Sequence, residues 1–302
     1  MTYADFSVLS VLSVVHIRYA LDAGPVTRAV VIALIVTACA ADAERDARPA
    51  DSVPVRSSRA QARDLHLSAP ACTTSQMDGN AVSACEIPPA QVALLQIAPA
   101  PHPERRNWTI AALDSSVRAN GRKLALATNA GIFQQNGKPS GLLIRSGREL
   151  SKLALGDGPS ARDPNRCAVN FYCMPNAVFY VAGGKAHVDS ARQFARTRPL
   201  RATITLATQS GPMLVAGGKP ARRFPATFGK RIPRNAACVR ADGSVVLVFA
   251  DNQTHASLAD VLIARFACRD AVFLDGNIST LYTGGGAAPS LFDYGAIIYL
   301  AR

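Results

Sequence analysis

The segment Phe273-Leu-Asp-Gly-Asn-Ile-Ser-Thr-Leu281 empties a hydrophobic run into an acidic residue, a glycine and two hydroxyls. Acidic residues are scarce in this chain, 21 against 33 Lys and Arg, for a formal net charge of +12. A carboxylate delivered by a buried strand into a Gly/Ser turn is better placed for chemistry than for solubility. Three further segments share the layout of an apolar run ending in a Gly turn with Asn, Ser, Thr or Gln: Ala127–Phe133, Lys138–Leu142 and Ala207–Leu214. Glycine lets a backbone approach a ligand closely, and the neighbouring amides and hydroxyls supply hydrogen bonds suited to sugar or phosphate oxygens. One such segment reads as a plain turn, whereas four at strand ends converge when the strands share a sheet. Substrate binding is therefore expected of Asn129, Gly131, Ser140, Gly141, Gln209, Ser210, Gly211, Gly276 and Ser279. Arg234 and Asn235 precede an apolar segment and are expected to face the same cleft, and Asp251 follows the run Val245–Ala250. The stretch Asn170-Phe-Tyr-Cys-Met-Pro-Asn176 interleaves aromatics with Asn170 and Asn176, as sugar-binding walls do, with packing around a disulfide as the competing reading.

These residues need a scaffold rich in strands. Strand signals cover Leu124–Thr128, Leu142–Ser146, Ala177–Ala182, Thr203–Ala207, Val245–Ala250, Ala271–Leu274 and Ala296–Leu300, most ending at a glycine turn. Arg240–Ser244 and Ala182–Lys185 read as hairpin turns. Helices are expected over Thr109–Ala119, stopped by Asn120-Gly121, and over Ser257–Ala267, opened by the capping-box-like Ser257-Leu-Ala-Asp260. The second places Leu258, Val261, Leu262 and Phe266 on one face, which should lie on the sheet containing Ala271–Leu274. The expected fold is α+β, a strand-rich mixed sheet with a few packed helices in one main domain.

With 302 residues and 49% hydrophobic content, the chain can bury a sizeable core. Its basic residues include only six lysines, and the arginines are scattered. No basic helix, stacking motif or zinc-finger spacing accompanies them, so nucleic acid is not an expected partner, while anionic ligands are. Residues 26–39 combine a positive charge, about ten apolar residues and a small-residue end, the layout of an export signal too short to span a bilayer. Val36-Thr-Ala-Cys39 resembles a lipobox, which would leave Cys39 as the only membrane anchor; cleavage near Ala43 is the plainer reading. The expected organisation is an export signal over 1–39 with its start near Val26, a disordered tether over 40–85 and the domain over 86–302. Six cysteines remain beyond Cys39, an even number that in an exported chain points to disulfides. Their pairing stays open, with short loops favouring Cys72 with Cys85 and Cys167 with Cys173, leaving Cys238 with Cys268. No Cys-x-x-Cys pair exists and the histidines are dispersed, so neither a metal nor another cofactor is expected.

Thr128-Asn-Ala-Gly-Ile-Phe133, Pro139-Ser-Gly141, Asn170-Phe-Tyr172 with Pro175-Asn176, Gln209-Ser-Gly-Pro-Met-Leu214, Arg234-Asn235 and Leu274-Asp-Gly276 with Ser279 resemble, in order, the motif series of the phosphodiester glycosidase family. The resemblance runs from about residue 105 to the C-terminus and implies an exported hydrolase acting on a sugar phosphodiester. The acidic motif departs from the Asp-Gly-Gly-Gly-Ser of the glycan-cleaving branch, having Asn277 and Ile278 in its middle.

An ordinary glycosidase uses two carboxylates because an alkoxide must be protonated as it leaves. A phosphate monoester already leaves as a good anion, so one carboxylate with one stabilising cation suffices. That chemistry assigns Asp275 as nucleophile or base and Arg234 as the group holding the phosphate. The rival from another class is a noncatalytic envelope protein binding glycans or anionic polymers in the same cleft. Nuclease and phosphatase readings lack both clustered metal-binding carboxylates and a phosphate-cradling Gly-x-x-x-x-Gly-Lys loop.

Overall fold

The computed structural model describes residues 69–77, 79–101, 108–156, 170–222, 224 and 230–302. In chain order the elements are β1 (Ala71–Met77), β2 (Asn80–Ile87), α1 (Pro89–Val92), β3 (Gln96–Pro99), α2 (Ile110–Ala119), β4 (Leu124–Asn129), β5 (Leu143–Arg145), β6 (Arg148–Ser151), β7 (Ala177–Ala182), β8 (Lys185–Ser190), α3 (Ala191–Thr197), β9 (Ile204–Ser210), β10 (Met213–Ala216), β11 (Lys219–Pro220), β12 (Ile232–Arg240), β13 (Val245–Gln253), α4 (His255–Ala264), β14 (Cys268–Asp275), β15 (Leu281–Tyr282) and β16 (Ala296–Ala301). The fold class is α+β with strands dominant, as expected.

The strands divide among three antiparallel sheets, ordered β1-β2-β13-β12-β14-β10-β11, β15-β4-β16-β3 and β6-β5-β9-β7-β8. Their inner faces meet in one core: Cys85, Leu247 and Val272 come from the first sheet, Ile97, Leu126 and Ile298 from the second, Leu143, Phe179 and Leu206 from the third. A helix covers the outer face of each sheet. Leu258 and Leu262 of α4 pack on Val248 and Phe273, Leu113 and Val117 of α2 on Leu124 and Ile297, and Phe194 of α3 on Ile144 and Tyr180. Strands covered on both sides explain the continuous apolar runs of the sequence: Val245 and Leu247 face the central core, Val246 and Val248 face α4. Each fully buried Leu or Phe contributes about 1.5–3 kcal/mol.

The domain begins earlier than the sequence reading placed it. Residues 71–85, expected in the tether, form β1 and most of β2, and β2 pairs with β13 while burying Val82, Ala84 and Cys85. Exposed Thr and Gln side chains of β1 disguise it as linker. The helix expected from Ser257 starts at His255, because Thr254 is the N-cap: its Oγ1 accepts from Ser257 N–H while Ser257 Oγ accepts from Thr254 N–H. It ends at Ala264, so Phe266 reaches the same core from beyond the helix. The Cys72–Cys85 and Cys238–Cys268 disulfides are present. Cys173 is disulfide-bonded too, and Cys167, its expected partner, lies outside the described residues, as does the leader over 1–39.

Candidate functional site

The ends of β12 and β14 meet the end of β4, and Asn235 ties them together. Its side chain is fully buried. Nδ2 donates to Thr128 Oγ1 at 2.8 Å and to Asn129 Oδ1 and O at 2.9 and 3.0 Å. Oδ1 accepts from Asp275 N–H at 2.9 Å and from Ser279 Oγ at 3.1 Å. Asn129 Oδ1 also accepts from Thr280 N–H at 3.0 Å, and Thr128 Oγ1 donates to Thr280 O at 2.7 Å. One amide therefore fixes the turn Asp275–Thr280 against β4 and joins the first sheet to the second. Asn235 was expected to contact substrate; its polar atoms are instead spent inside the protein. Asn129 Nδ2 is buried in the same junction with no hydrogen-bond partner.

Asp275 stands at the last position of β14. Its Oδ1 accepts from Gly276 N–H at 2.7 Å. Burial pushes its pKa up to about 6, and the Gly276 hydrogen bond opposes that shift. The group is consequently poised to change charge close to neutrality, which a solvated aspartate is not.

The expected residues of the third sheet hold loops. Gln209 Oε1 accepts from Leu142 and Ala154 N–H at 3.0 and 2.9 Å, and its Nε2 donates to Ala154 O at 2.7 Å. Ser210 Oγ donates to Leu274 O at 2.7 Å, just before Asp275. A Cβ at Gly131 would strike the Gln209 carbonyl, and one at Gly141 would strike the Gln209 side chain, so these glycines admit close packing. Ser140, half-buried, donates its N–H to Ile132 O. Gly211, preceding a cis proline, backs onto Asn176, whose Cβ would lie 2.7 Å from an added methyl, and Asn176 Nδ2 donates to Phe171 O at 3.3 Å. Asn170 opens a short 3-10 turn, Asn170–Tyr172, and its side chain lies outside the described residues.

Two expectations fail on geometry. Arg234 is 2% exposed and points away from Asn235, across the Phe273 ring, toward the α4 side of the sheet. Its Nε donates to Gln253 O at 2.7 Å, Nη2 to Lys230 O at 2.9 Å and Nη1 to His255 Nε2 at 3.1 Å. Burial lowers its pKa to about 10. The side chain braces a bulge between β12 and β13 and the start of α4, so it does not hold a phosphate beside Asp275. Asp251 is exposed near the end of β13, next to that bulge, and makes no hydrogen bond to the Asp275 cluster.

Sequence reasoning missed Thr128, Thr280 and Tyr294. Tyr294 is buried, its hydroxyl lies 2.7 Å from Thr280 Oγ1, and its pKa is pushed up to about 12 by burial, with the charges of Asp275 and Asp293 adding to the rise. Tyr294 and Ile278 line a pocket of about 340 Å³ together with Trp108, Phe133, Phe292 and Asp293. An aromatic-walled pocket beside a perturbed carboxylate suits a sugar ring, whose C–H face packs on aromatics. The only sequence signal for it was Ile278, where the motif departs from glycine. Among the described residues no group of three or more His, Cys, Asp or Glu could hold a metal.

The sequence profile of the phosphodiester glycosidase family matches residues 122–292. This chain belongs to the phosphodiester glycosidase family. It is 30% identical over 182 residues to the uncharacterized protein YigE of Escherichia coli (strain K12), a match covering 60% of this chain and, at 66%, slightly under two thirds of YigE. Its fold is shared with the catalytic domain of zebrafish N-acetylglucosamine-1-phosphodiester alpha-N-acetylglucosaminidase, solved auto-inhibited by its pro-peptide, with a TM-score of 0.52 at 15% identity over 76% of this chain and 81% of that one. A hypothetical protein from Synechocystis superposes with a TM-score of 0.48 at 15% identity over 76% of this chain and 61% of its own. Within the family, Asp275 and its hydrogen-bonded collar all fall inside the matched segment.

Proposed function

We propose that this phosphodiester glycosidase family member hydrolyses the glycosidic bond of a sugar phosphodiester, with Asp275 as the catalytic carboxylate. The observation that carries the reading is Asp275 itself: a carboxyl with its pKa raised to about 6, held at a strand end by Asn235 and Gly276, beside an aromatic-walled pocket. At neutral pH most of it is ionised. The carboxylate attacks the anomeric carbon, or takes a proton from the water that does, and the C1–O pair leaves with the phosphate monoester. No acid is needed for that departure, because a phosphate monoester leaves as a stable anion.

The test is a screen of glycosyl 1-phosphodiesters for free sugar and phosphomonoester. Asp275→Asn should stay folded and lose roughly 10²–10⁴-fold in kcat/KM. Because the ionised form reacts, wild-type kcat/KM should climb from pH 5 to pH 7 with a midpoint of about 6. Binding without turnover, or full activity in Asp275→Asn, would defeat this reading. The first anomer released, read by NMR, separates nucleophile from base. Disulfides form in oxidising compartments, and we place the enzyme in the cell envelope, exported by residues 26–39 and anchored through Cys39. Intact mass of the exported protein checks that placement: a mature form retaining Met1 would overturn it.

A further inference from the structure

The aromatic pocket continues into a second cavity. They meet at Ala100, Trp108 and Gly137, and the second, at about 1130 Å³, is much the larger. A pocket of about 300–1,000 Å³ holds a whole drug-sized ligand. The smaller cavity is therefore enough for one sugar, and the larger is surplus to a single glycosyl phosphate.

Its lining is cationic. Lys138, Arg122, Arg145 and Arg148 border it, all exposed, and no Asp or Glu lines it among the described residues. None of the four is in an ion pair among those residues, while the nearest acid by sequence, Glu149, is already 3.2 Å from Arg201. Arg122 is held in place by donating from Nη2 to Ala301 O at 2.5 Å. Arg145 and Arg148 are directly opposed across the β5–β6 hairpin. Like charges facing each other on paired strands destabilise the pair, a cost that an anion between them would reverse. The rest of the wall mixes aliphatic residues, including Pro99, Leu143 and Leu150, with the polar Ser116, Asn120, Ser146 and Ser151 and two aromatics, Trp108 and Tyr299. A single-stranded nucleic acid requires a succession of stacking aromatics along its path, and the wall does not supply one.

We propose that the substrate is a polymer of sugars linked through 1-phosphodiesters, with one sugar in the pocket beside Asp275 and the phosphates of neighbouring units lying along Lys138, Arg145, Arg148 and Arg122. The proposal rests on the sugar-phosphodiester reading of the same site and adds the repeat of charge. The walls at the junction are fixed: Tyr294 N–H donates to Trp108 O, Ala100 N–H to Gly295 O, and Trp108 Nε1 to Ala98 O. The junction between the aromatic pocket and the basic groove is thus part of the folded structure.

The experiment compares poly(N-acetylglucosamine 1-phosphate) with N-acetylglucosamine 1-(methyl phosphate), in the full chain and in Lys138→Ala/Arg145→Ala/Arg148→Ala. The polymer-to-monomer ratio of kcat/KM should exceed one in the wild type and fall by about tenfold or more in the triple variant. It should also fall as salt rises from about 0.05 M to about 0.5 M, because the exposed cations are screened. In parallel, fluorescence anisotropy of labelled polymer on Asp275→Asn reads binding without turnover, with and without the three substitutions. Hydrolysis of the monomer with no polymer preference, or a preference the triple variant keeps, overturns the polymer inference and leaves the function standing. Hydrolysis of neither substrate counts against the function, and the anisotropy arm then decides the groove alone. Equal affinity for a DNA strand of matched charge would show a general polyanion surface and overturn the proposal.

Discussion

At the scale of single residues, the chemistry divides between a carboxylate that is poised and amides that are occupied. Asn235 spends both ends of its side chain on Thr128, Asn129, Asp275 and Ser279. Asn235→Ala strands buried partners of which each costs about 1–3 kcal/mol. A loss of about 3 kcal/mol in denaturant-derived stability is expected, and a loss below about 0.5 kcal/mol would refute its role as the tie. Asp275 behaves oppositely. Its folded pKa lies above the 3.8 of an ordinary aspartate, so folding is penalised once pH rises through 3.8 and the penalty is complete above about 6. Asp275→Asn should therefore stabilise the protein at pH 7, by at most about 3 kcal/mol before discounting for solvent at the half-buried carboxyl, and the gain should vanish below pH 4. Thermal melts of the two proteins at both pH values decide this. The sequence marks Asp275 because an acid at the end of an apolar run is unusual. It cannot separate ligand-facing amides from structural ones, since Asn and Gln donate and accept equally well in either setting; that is why Gln209 and Asn235 were read as substrate contacts. Arg234 was misplaced for a different reason: it and Asn235 were expected to face one cleft, whereas adjacent residues of β12 point to opposite faces, Asn235 toward β4 and Arg234 toward α4.

At the scale of elements, strands with dense apolar content were legible and polar ones were not. Ala177–Ala182 is found as read, because both of its faces are buried and both select apolar residues. β1 was invisible, since it is held by the β2 ladder, a disulfide and polar side-chain hydrogen bonds rather than by an apolar run. The start of α4 was read from Ser257, yet the cap is Thr254, which exchanges hydrogen bonds with Ser257 in both directions. Both residues fit a capping box, and only the fold shows that Thr254 is the one still extended, at φ −84° and ψ 171°. Thr254→Ala should cost about 1 kcal/mol. Thr254→Ser should recover most of it, and an unchanged denaturation midpoint in the alanine variant would show that packing on Phe273 alone sets the helix start.

At the scale of the whole molecule, three sheets share one core and the site lies where their strand ends converge, so cross-links within a sheet bear on the site from a distance. Cys238–Cys268 joins β12 to β14, three residues from Asn235 on one strand and seven from Asp275 on the other. Cys72–Cys85 joins β1 to β2 at the edge of the same sheet. By loop closure alone the separations of 30 and 13 residues give roughly 3.6 and roughly 2.9 kcal/mol of stabilisation. Both Cys238 and Cys268 are also buried against α4, so a serine pair there leaves hydroxyls in an apolar layer. Cys238→Ser/Cys268→Ser should therefore lower Tm by more than Cys72→Ser/Cys85→Ser, roughly 7–14 °C at about 2–4 °C per kcal/mol. Because β12 and β14 together position the carboxylate, the first pair should also lose activity at temperatures well below its own Tm, whereas the edge pair should keep its activity until it unfolds. Activity and melting measured side by side on the two variants test this, and equal behaviour of the two would mean that the β12–β14 cross-link serves stability without serving the site.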